Sequence, residues 1–285
     1  GEDGPKFDTA SAPGLAAWGQ AFGSWSDMEG GANVGDLDVS TGGFITGIDA
    51  PLGDWRAGLF AGYSRSTFDA DARASSGDSD NYHLGLYGGS QWGALSFRSG
   101  LSYMWHKLST SRSVAFPGFN EQLTADYDAG SFQAYGELGY RFDRGTASFE
   151  PFANLAYVNL RTDGNTEEGG AAALTSASQT LNTAFTTLGL RASSDLMLGG
   201  IQATASGTLG WRHAFGDVDP VSQFAFSGSE AYMITGVPIA RDTVVLQLGL
   251  DMKVTETATL GLSYNGEFGS GSSTNGLDAR LGIRF

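Results

Sequence analysis

The chain has 285 residues, with 43 glycines, 7 prolines, no cysteine and a formal charge of −15. This balance excludes a disulfide framework and a thiolate metal site, and it excludes nucleic acid as a partner, because a phosphate-binding surface needs a basic stripe. Apolar residues make up 41 % without a run of about 18 of them, so no transmembrane helix is encoded; the glycine content and 12 % aromatics suit many short strands in one all-β domain.

The first stretch, GEDGPKFDTASAPG, has neither a cationic start nor an apolar core and is not a signal peptide. Pro5, Pro13 and Gly14 are poor helix-interior residues, so residues 1–14 read as a residual linker or pore segment ahead of a β domain spanning 15–285. From Leu15 onward the chain divides into about twelve segments of roughly ten residues or more, the length a tilted strand needs to cross a bilayer. In residues 94–108, Leu95, Phe97, Leu101, Tyr103 and Trp105 share one face and Ser96, Arg98, Gly100, Ser102 and His106 the other. Residues 130–142 repeat the pattern, with Phe132, Ala134, Leu138, Tyr140 and Phe142 against Gln133, Tyr135, Glu137, Gly139 and Arg141. Residues 242–254 set Val244, Leu246, Leu248, Leu250 and Met252 against Gln247, Gly249, Asp251 and Lys253. The last nine residues alternate without a fault and end on the ring of Phe285.

A period of two with one greasy and one charged face needs two different solvents. Short connections fall at 51–54, 91–93, 143–145, 198–200 and 255–257. Between them lie longer polar ones at about 26–38, 69–79, 109–123, 163–179 and 216–239, with a shorter one near 269–275. Short turns on one side and long loops on the other predict a twelve-stranded antiparallel transmembrane β-barrel of the outer membrane. Long loops are then extracellular, and short turns and the C-terminus periplasmic. Trp25, Phe68, Trp105 and Phe268 toward the loops, and Trp55, Trp92, Phe142 and Phe149 toward the turns, form two interfacial girdles on this reading.

No G-x-S-x-G elbow, H-E-x-x-H or P-loop occurs, and Gly77-Asp78-Ser79-Asp80 lies in an expected external loop with no oxyanion scaffold after it. No catalytic residue, metal site or cofactor is assigned. His83, His106 and His213 fall in three strands and read as hydrogen-bonded wall residues. The charged residues expected to face inward are Arg56, Arg98, Glu137, Arg141, Glu150, Arg191, Arg212, Asp251, Lys253, Glu267, Asp278 and Arg280. Pairing across strands would stiffen a wet interior; the functional reading is a polar conduit. Twelve strands lie between the filled barrel of eight and the open porin of sixteen. Such a bore could hold one helix, about 10 to 12 Å wide.

The stretch from Trp18 to Phe285 resembles the C-terminal translocator domain of monomeric autotransporters, the type Va secretion family. The matching strings are DWRAGLFAGYSRS at 54–66, YHLGLYGG at 82–89, TADYDAGSFQAYGELGYRF at 124–142, TEEGGAAALTSAS at 166–178, LGWRHAFGD at 209–217 and the terminal LGIRF. The resemblance implies an outer-membrane barrel that anchors and secretes or displays its own upstream passenger, with a helix threading the pore afterward. It implies contact with outer-membrane lipid and lipopolysaccharide, a monomer, and a terminal strand, with Leu281, Ile283 and Phe285, read by the barrel-assembly machinery. A surface-protease-like barrel enzyme is the competing reading, for which His106, His213, Asp126, Asp128 and Asp217 would have to converge at the outer rim. A self-standing adhesin or small porin is the third.

Overall fold

The computed structural model describes residues 14–30, 35–70 and 74–285. Among the described residues there are seventeen strands, in chain order β1 Ala16–Met28, β2 Leu37–Leu52, β3 Trp55–Ala70, β4 Ser75–Trp92, β5 Leu95–Phe116, β6 Phe119–Tyr140, β7 Phe142–Arg144, β8 Ala147–Thr162, β9 Asn165–Thr166, β10 Leu174–Ser176, β11 Gln179–Leu198, β12 Ile201–Gly216, β13 Val221–Phe226, β14 Tyr232–Thr235, β15 Asp242–Lys253, β16 Ala258–Gly269 and β17 Ser272–Arg284. Twelve of them, β1–β6, β8, β11, β12 and β15–β17, pair antiparallel with their neighbours in one sheet. The sheet closes because β1 pairs with β17 from Ala16↔Arg284 to Met28↔Ser272. β7 prolongs β6 past Arg141 and pairs with β8.

The period-two pattern forces this closure. Along β3 the even positions, such as Arg56 and Ser64, are buried, while Leu59 and Tyr63 are exposed. Across the barrel Leu86 is 60 % and Leu209 61 % exposed, whereas Arg56 is 3 % and Glu137 7 % exposed. That inversion of ordinary burial means that the outer face is solvated by hydrocarbon and the inner face by polar groups. No helix of the described residues is long and apolar enough to cross a membrane. Inner-face aromatics demand glycine opposite them: a Cβ on Gly47 would lie 2.6 Å from the Trp18 ring.

Three connections differ from the expectation. The segment 109–123 is not a loop but the end of a hairpin, in which β5 and β6 run 22 residues each to a turn at Pro117-Gly118. Gly118 has φ of +87°, which a proline–glycine turn supplies at little strain. Both strands exceed the 9–11 residues a tilted span needs, so their loop-side ends stand clear of the membrane. Polar alternation outside the bilayer is compatible with a ladder, and composition alone had read it as a loop. The expected loop at 69–79 shrinks likewise, since β3 runs to Ala70 and β4 starts at Ser75. The one near 269–275 is a turn at Ser270-Gly271 between β16 and β17. The two longest loops do exist, and β14-β13-β10-β9 join them in a small second sheet.

The girdle is also adjusted. Trp25, Trp105, Trp55 and Trp92 are exposed on the outer face, but Phe68 has inward parity and lines the lumen. Trp211 and Phe215, with His213 between them, take outward positions at the loop side instead. The expected leader at 1–14 lies outside the described residues except for Gly14.

Candidate functional site: the barrel lumen

Inward positions of all twelve strands surround a cavity of about 860 Å³. Four arginines (Arg98, Arg141, Arg191, Arg212) and five carboxylates (Glu137, Glu150, Asp251, Glu267, Asp278) line it, so its formal charge is close to zero. The chain's negative charge is carried elsewhere, much of it by exposed or half-buried loop-side carboxylates such as Asp27, Asp38, Asp69, Asp78, Asp80, Asp126 and Asp128.

On the wall of β5, β6, β8 and β11, register brings Arg98 opposite Glu137 and Glu150 opposite Arg191. Arg98 Nη1 lies 2.8 Å from Glu137 Oε1 and 2.7 Å from Glu150 Oε1. Arg191 reaches Glu137 Oε2 at 2.8 Å and Glu150 Oε1 at 2.9 Å, and its guanidinium stacks 4.1 Å over the Phe152 ring. Each carboxylate therefore answers two arginines. Breaking such a buried set by removing one member is costly, about 3 to 5 kcal/mol, because it strands a desolvated charge.

A different arrangement occupies β1–β4. Trp18 Nε1 donates to the Tyr87 hydroxyl at 2.5 Å, which donates to Asp49 Oδ2 at 2.6 Å. The other oxygen of Asp49 accepts from Arg56 Nε, and Arg56 Nη2 donates to the Gly14 carbonyl at 3.2 Å. Elsewhere Arg212 pairs with Glu267 at 2.8 Å, and Asp278 accepts from Ser263 at 3.2 Å and from Asn265. Arg141 sits near the turn side, bonded to Asp143 at 3.0 Å and Ser148 at 2.5 Å. Asp251 lines the cavity, Lys253 is exposed at the end of β15, and Arg280 lies close enough to Tyr87 to act on it electrostatically.

Higher in the lumen the partners are neutral. His83 bonds Ser64 at 2.9 Å, and His106 bonds Asn81 at 2.6 Å and Ser131 at 3.0 Å. His213 is on the outer wall, 2.7 Å from Asp242. The groups that a barrel protease would need are thus divided: His106 points inward, His213 outward, and Asp126 and Asp128 take outward positions on β6. Among the described residues no group of three or more histidines and carboxylates could hold a metal. Outside the membrane, Arg112 on the protruding hairpin bonds Glu167 Oε1 at 3.0 Å, and that bond pushes its pKa upward.

Asp49, Tyr87 and Trp18 went unread in the sequence. Asp49 stands two residues before a proline turn, and its partners lie on other strands, so only the alternation Ile45, Gly47, Asp49 hinted at an inward carboxylate.

The barrel has counterparts among known proteins. The autotransporter β-domain model matches residues 17–265. Two extracellular serine proteases of Serratia marcescens are 38 % and 36 % identical over 271 residues, which are 94 % of this chain but 26 % of theirs; the chain spans about a quarter of their length. In fold it is similar to the translocator domain of autotransporter NalP from Neisseria meningitidis, with a TM-score of 0.79 at 19 % identity, covering 96 % of this chain and 90 % of that one. The β domain of the Bordetella autotransporter BrkA follows, with 0.69 at 19 % identity over 95 % and 100 % of the two chains. The transport unit of AIDA-I from Escherichia coli gives 0.66 at 18 % identity over 95 % and 90 %. The chain belongs to the autotransporter β-domain family and is an outer-membrane translocator barrel.

Proposed function

We propose that the barrel lets its own upstream passenger reach the cell exterior through the lumen and then holds it at the surface as a monomeric anchor. The observation that carries this reading is a closed wall with hydrocarbon-compatible residues outside and a near-neutral polar bore inside. A chain can slide along such a bore without meeting a net field. The long loops are extracellular, and the short turns and C-terminus periplasmic. Twelve strands bring Ala16 and Arg284 to the same end as the short turns, which supports an exporting segment that starts from that side. Nothing in the wall selects one passenger chemistry over another, so the serine-protease activity named for the two relatives stays with them.

Leu281, Ile283 and Phe285 are 46 %, 37 % and 74 % exposed, which supports their recognition by the barrel-assembly machinery before insertion. The outer aromatic belts then meet outer-membrane lipid and lipopolysaccharide. Phe285→Asp in the full-length protein should leave degraded material in the periplasm; normal outer-membrane levels of a heat-modifiable barrel would refute the signal. Transport is tested in cells carrying the full-length protein. Protease added outside should remove the passenger, and an epitope between Pro117 and Gly118 should be accessible while one between Gly199 and Gly200 is not. The opposite epitope pattern overturns the orientation, and a folded barrel with its passenger retained in the periplasm overturns transport.

A further inference from the structure

On the loop-side rim of the outer wall, several cations and hydroxyls are answered by neighbouring side chains. Arg65 pairs with Asp78 at 3.0 Å and Arg241 with Asp219 at 3.4 Å. The hydroxyls of Tyr63, Tyr157 and Tyr264 donate to Asp80, Asn182 and Asn275 at 2.5, 2.8 and 2.8 Å. The sector of β5, β6 and β8 departs from this. Among the described residues, Lys107 and Arg161 form no ion pair or hydrogen bond through their side chains, and the Tyr103 hydroxyl has no hydrogen-bond partner.

Register places these three groups together. Trp105, Gly130 and Arg161 form one row across the outer face, and Lys107 stands one outward-facing step beyond Trp105, opposite Asp128. Gly130 puts no side chain into that row, and a Cβ there would strike the Tyr103 hydroxyl. The hydroxyl therefore lies over the glycine, between the tryptophan and the arginine. Neighbouring strands are about 4.8 Å apart, so Trp105 and Arg161 flank a notch two strand spacings wide with three open donors, two of them cationic. The Tyr103 and Trp105 rings, 4.7 Å apart, belong to the aromatic belt that marks the headgroup level. Below the notch the wall is apolar, with Leu101, Phe132 and Leu155 exposed. Asp128 and Asp163, joined by a backbone bond of 3.0 Å, border it one step further out on the loop side.

We infer that this notch binds a phosphate of lipid A, the glycolipid anchor of lipopolysaccharide. Acyl chains lie down the apolar wall, and the phosphate sits over Gly130, where the ammonium, the guanidinium and the phenol donate to its oxygens. The long stems of Lys107 and Arg161 lie along the wall and bring their charges to the belt, whereas the short aspartates stay beyond it. Charge selects the ligand. A phosphate monoester carries about −1.5 to −2 at neutral pH, which two cations match, while the diester of a glycerophospholipid carries a single charge. The inference rests on the lipid contact proposed above for the outer wall and adds to it the place and the headgroup.

The 285-residue barrel is refolded in detergent micelles and titrated with diphosphoryl lipid A, with bound lipid counted by native mass spectrometry. Lys107→Ala and Arg161→Ala should each weaken binding about tenfold, the loss expected for one charge-assisted hydrogen bond. Lys107→Arg and Arg161→Lys, which keep the charge, should retain most of the affinity, and Asp128→Asn should raise it. Enzymatically dephosphorylated lipid A should bind the parent as weakly as diphosphoryl lipid A binds the Lys107→Ala/Arg161→Ala barrel, and this comparison decides the matter should that variant fail to fold. Equal affinity for the two lipids, or for the parent and the folded double variant, overturns the site. Phosphatidylglycerol or inorganic phosphate competing as well as lipid A overturns the choice of ligand. The epitope between Pro117 and Gly118 separates this idea from the reading beneath it: an epitope hidden from the cell exterior sinks the lipid contact and the site together, whereas an accessible epitope with equal affinities sinks the site alone.

Discussion

The inner wall buries arginine beside carboxylates in two sectors with different results. On β5–β11, Arg98 and Arg191 share Glu137 and Glu150, and each carboxylate oxygen engaged there answers a guanidinium of the same set. On β1–β4, Arg56 spends one nitrogen on Asp49 and carries another out to a neutral backbone carbonyl at the start of the barrel. The first sector ties four strands together. The second ties four strands to the chain that precedes them. A closed charge set stiffens the wall, while an open-ended one exports its rigidity to whatever it holds.

This contrast is broken most severely in the closed set. Glu150→Gln leaves Arg98 and Arg191 sharing a single carboxylate, and the refolded barrel should lose about 3 kcal/mol or more in urea titrations in lipid vesicles. Replacing all four members by apolar residues of similar volume should cost far less, because no stranded charge remains. Equal losses in the two variants would mean that the set acts through packing.

Next in size is the wall itself. Leu101 is 52 % exposed on the outer face, and an arginine there should cost about 2 to 4 kcal/mol near the bilayer midplane. Ser102 faces the lumen beside Gln133, and Ser102→Arg should be tolerated with a smaller loss. A larger loss for Ser102→Arg in the same refolding assay would reverse inside and outside.

That parity was legible in the sequence because each strand carries two solvents in alternation, and one misplaced residue would have put a charge into hydrocarbon. Leu95 through His106 sorted correctly for this reason. Loop lengths were less legible: Ser109 to Leu123 are polar enough for a loop, yet they pair strand to strand outside the membrane, where alternation carries no hydrophobic signal. Phe68 was misplaced because nearness to a strand end suggested a girdle, whereas its even position on β3 decides that it points inward. The charged residues could be named singly, but which of them meet depends on register across strands. Arg98 and Glu137 are 39 residues apart in sequence and become neighbours only through the β5–β6 ladder.

Smaller effects sharpen the comparison outside the bore. Arg112→Ala removes a part-buried pair with Glu167 on the protruding hairpin and should cost about 1 kcal/mol. Its main readout is faster proteolysis within 163–178, with unchanged heat-modifiability of the barrel. The smallest effect belongs to Asp143, an exposed carboxylate by a short turn that Ser148 and Arg141 hold below the usual carboxylate range. A depressed pKa contributes stability above the unfolded value, about 3.9, and loses it as pH falls through the folded value. The small difference in urea midpoint between the parent and Asp143→Asn should therefore be present at pH 6 and vanish near pH 3. A difference that grows on acidification would reverse the sign.

On the proposed function the lumen is a passage which the upstream chain enters from the turn side. Single-channel conductance in planar bilayers tests it most directly, with the 285-residue barrel compared with the same barrel carrying its native upstream segment. The longer chain should conduct less, because a helix about 10 to 12 Å wide displaces the water that carries current. Equal conductance with and without that segment would mean that wall residues or loops close the bore by themselves, and it would contradict the threaded passage.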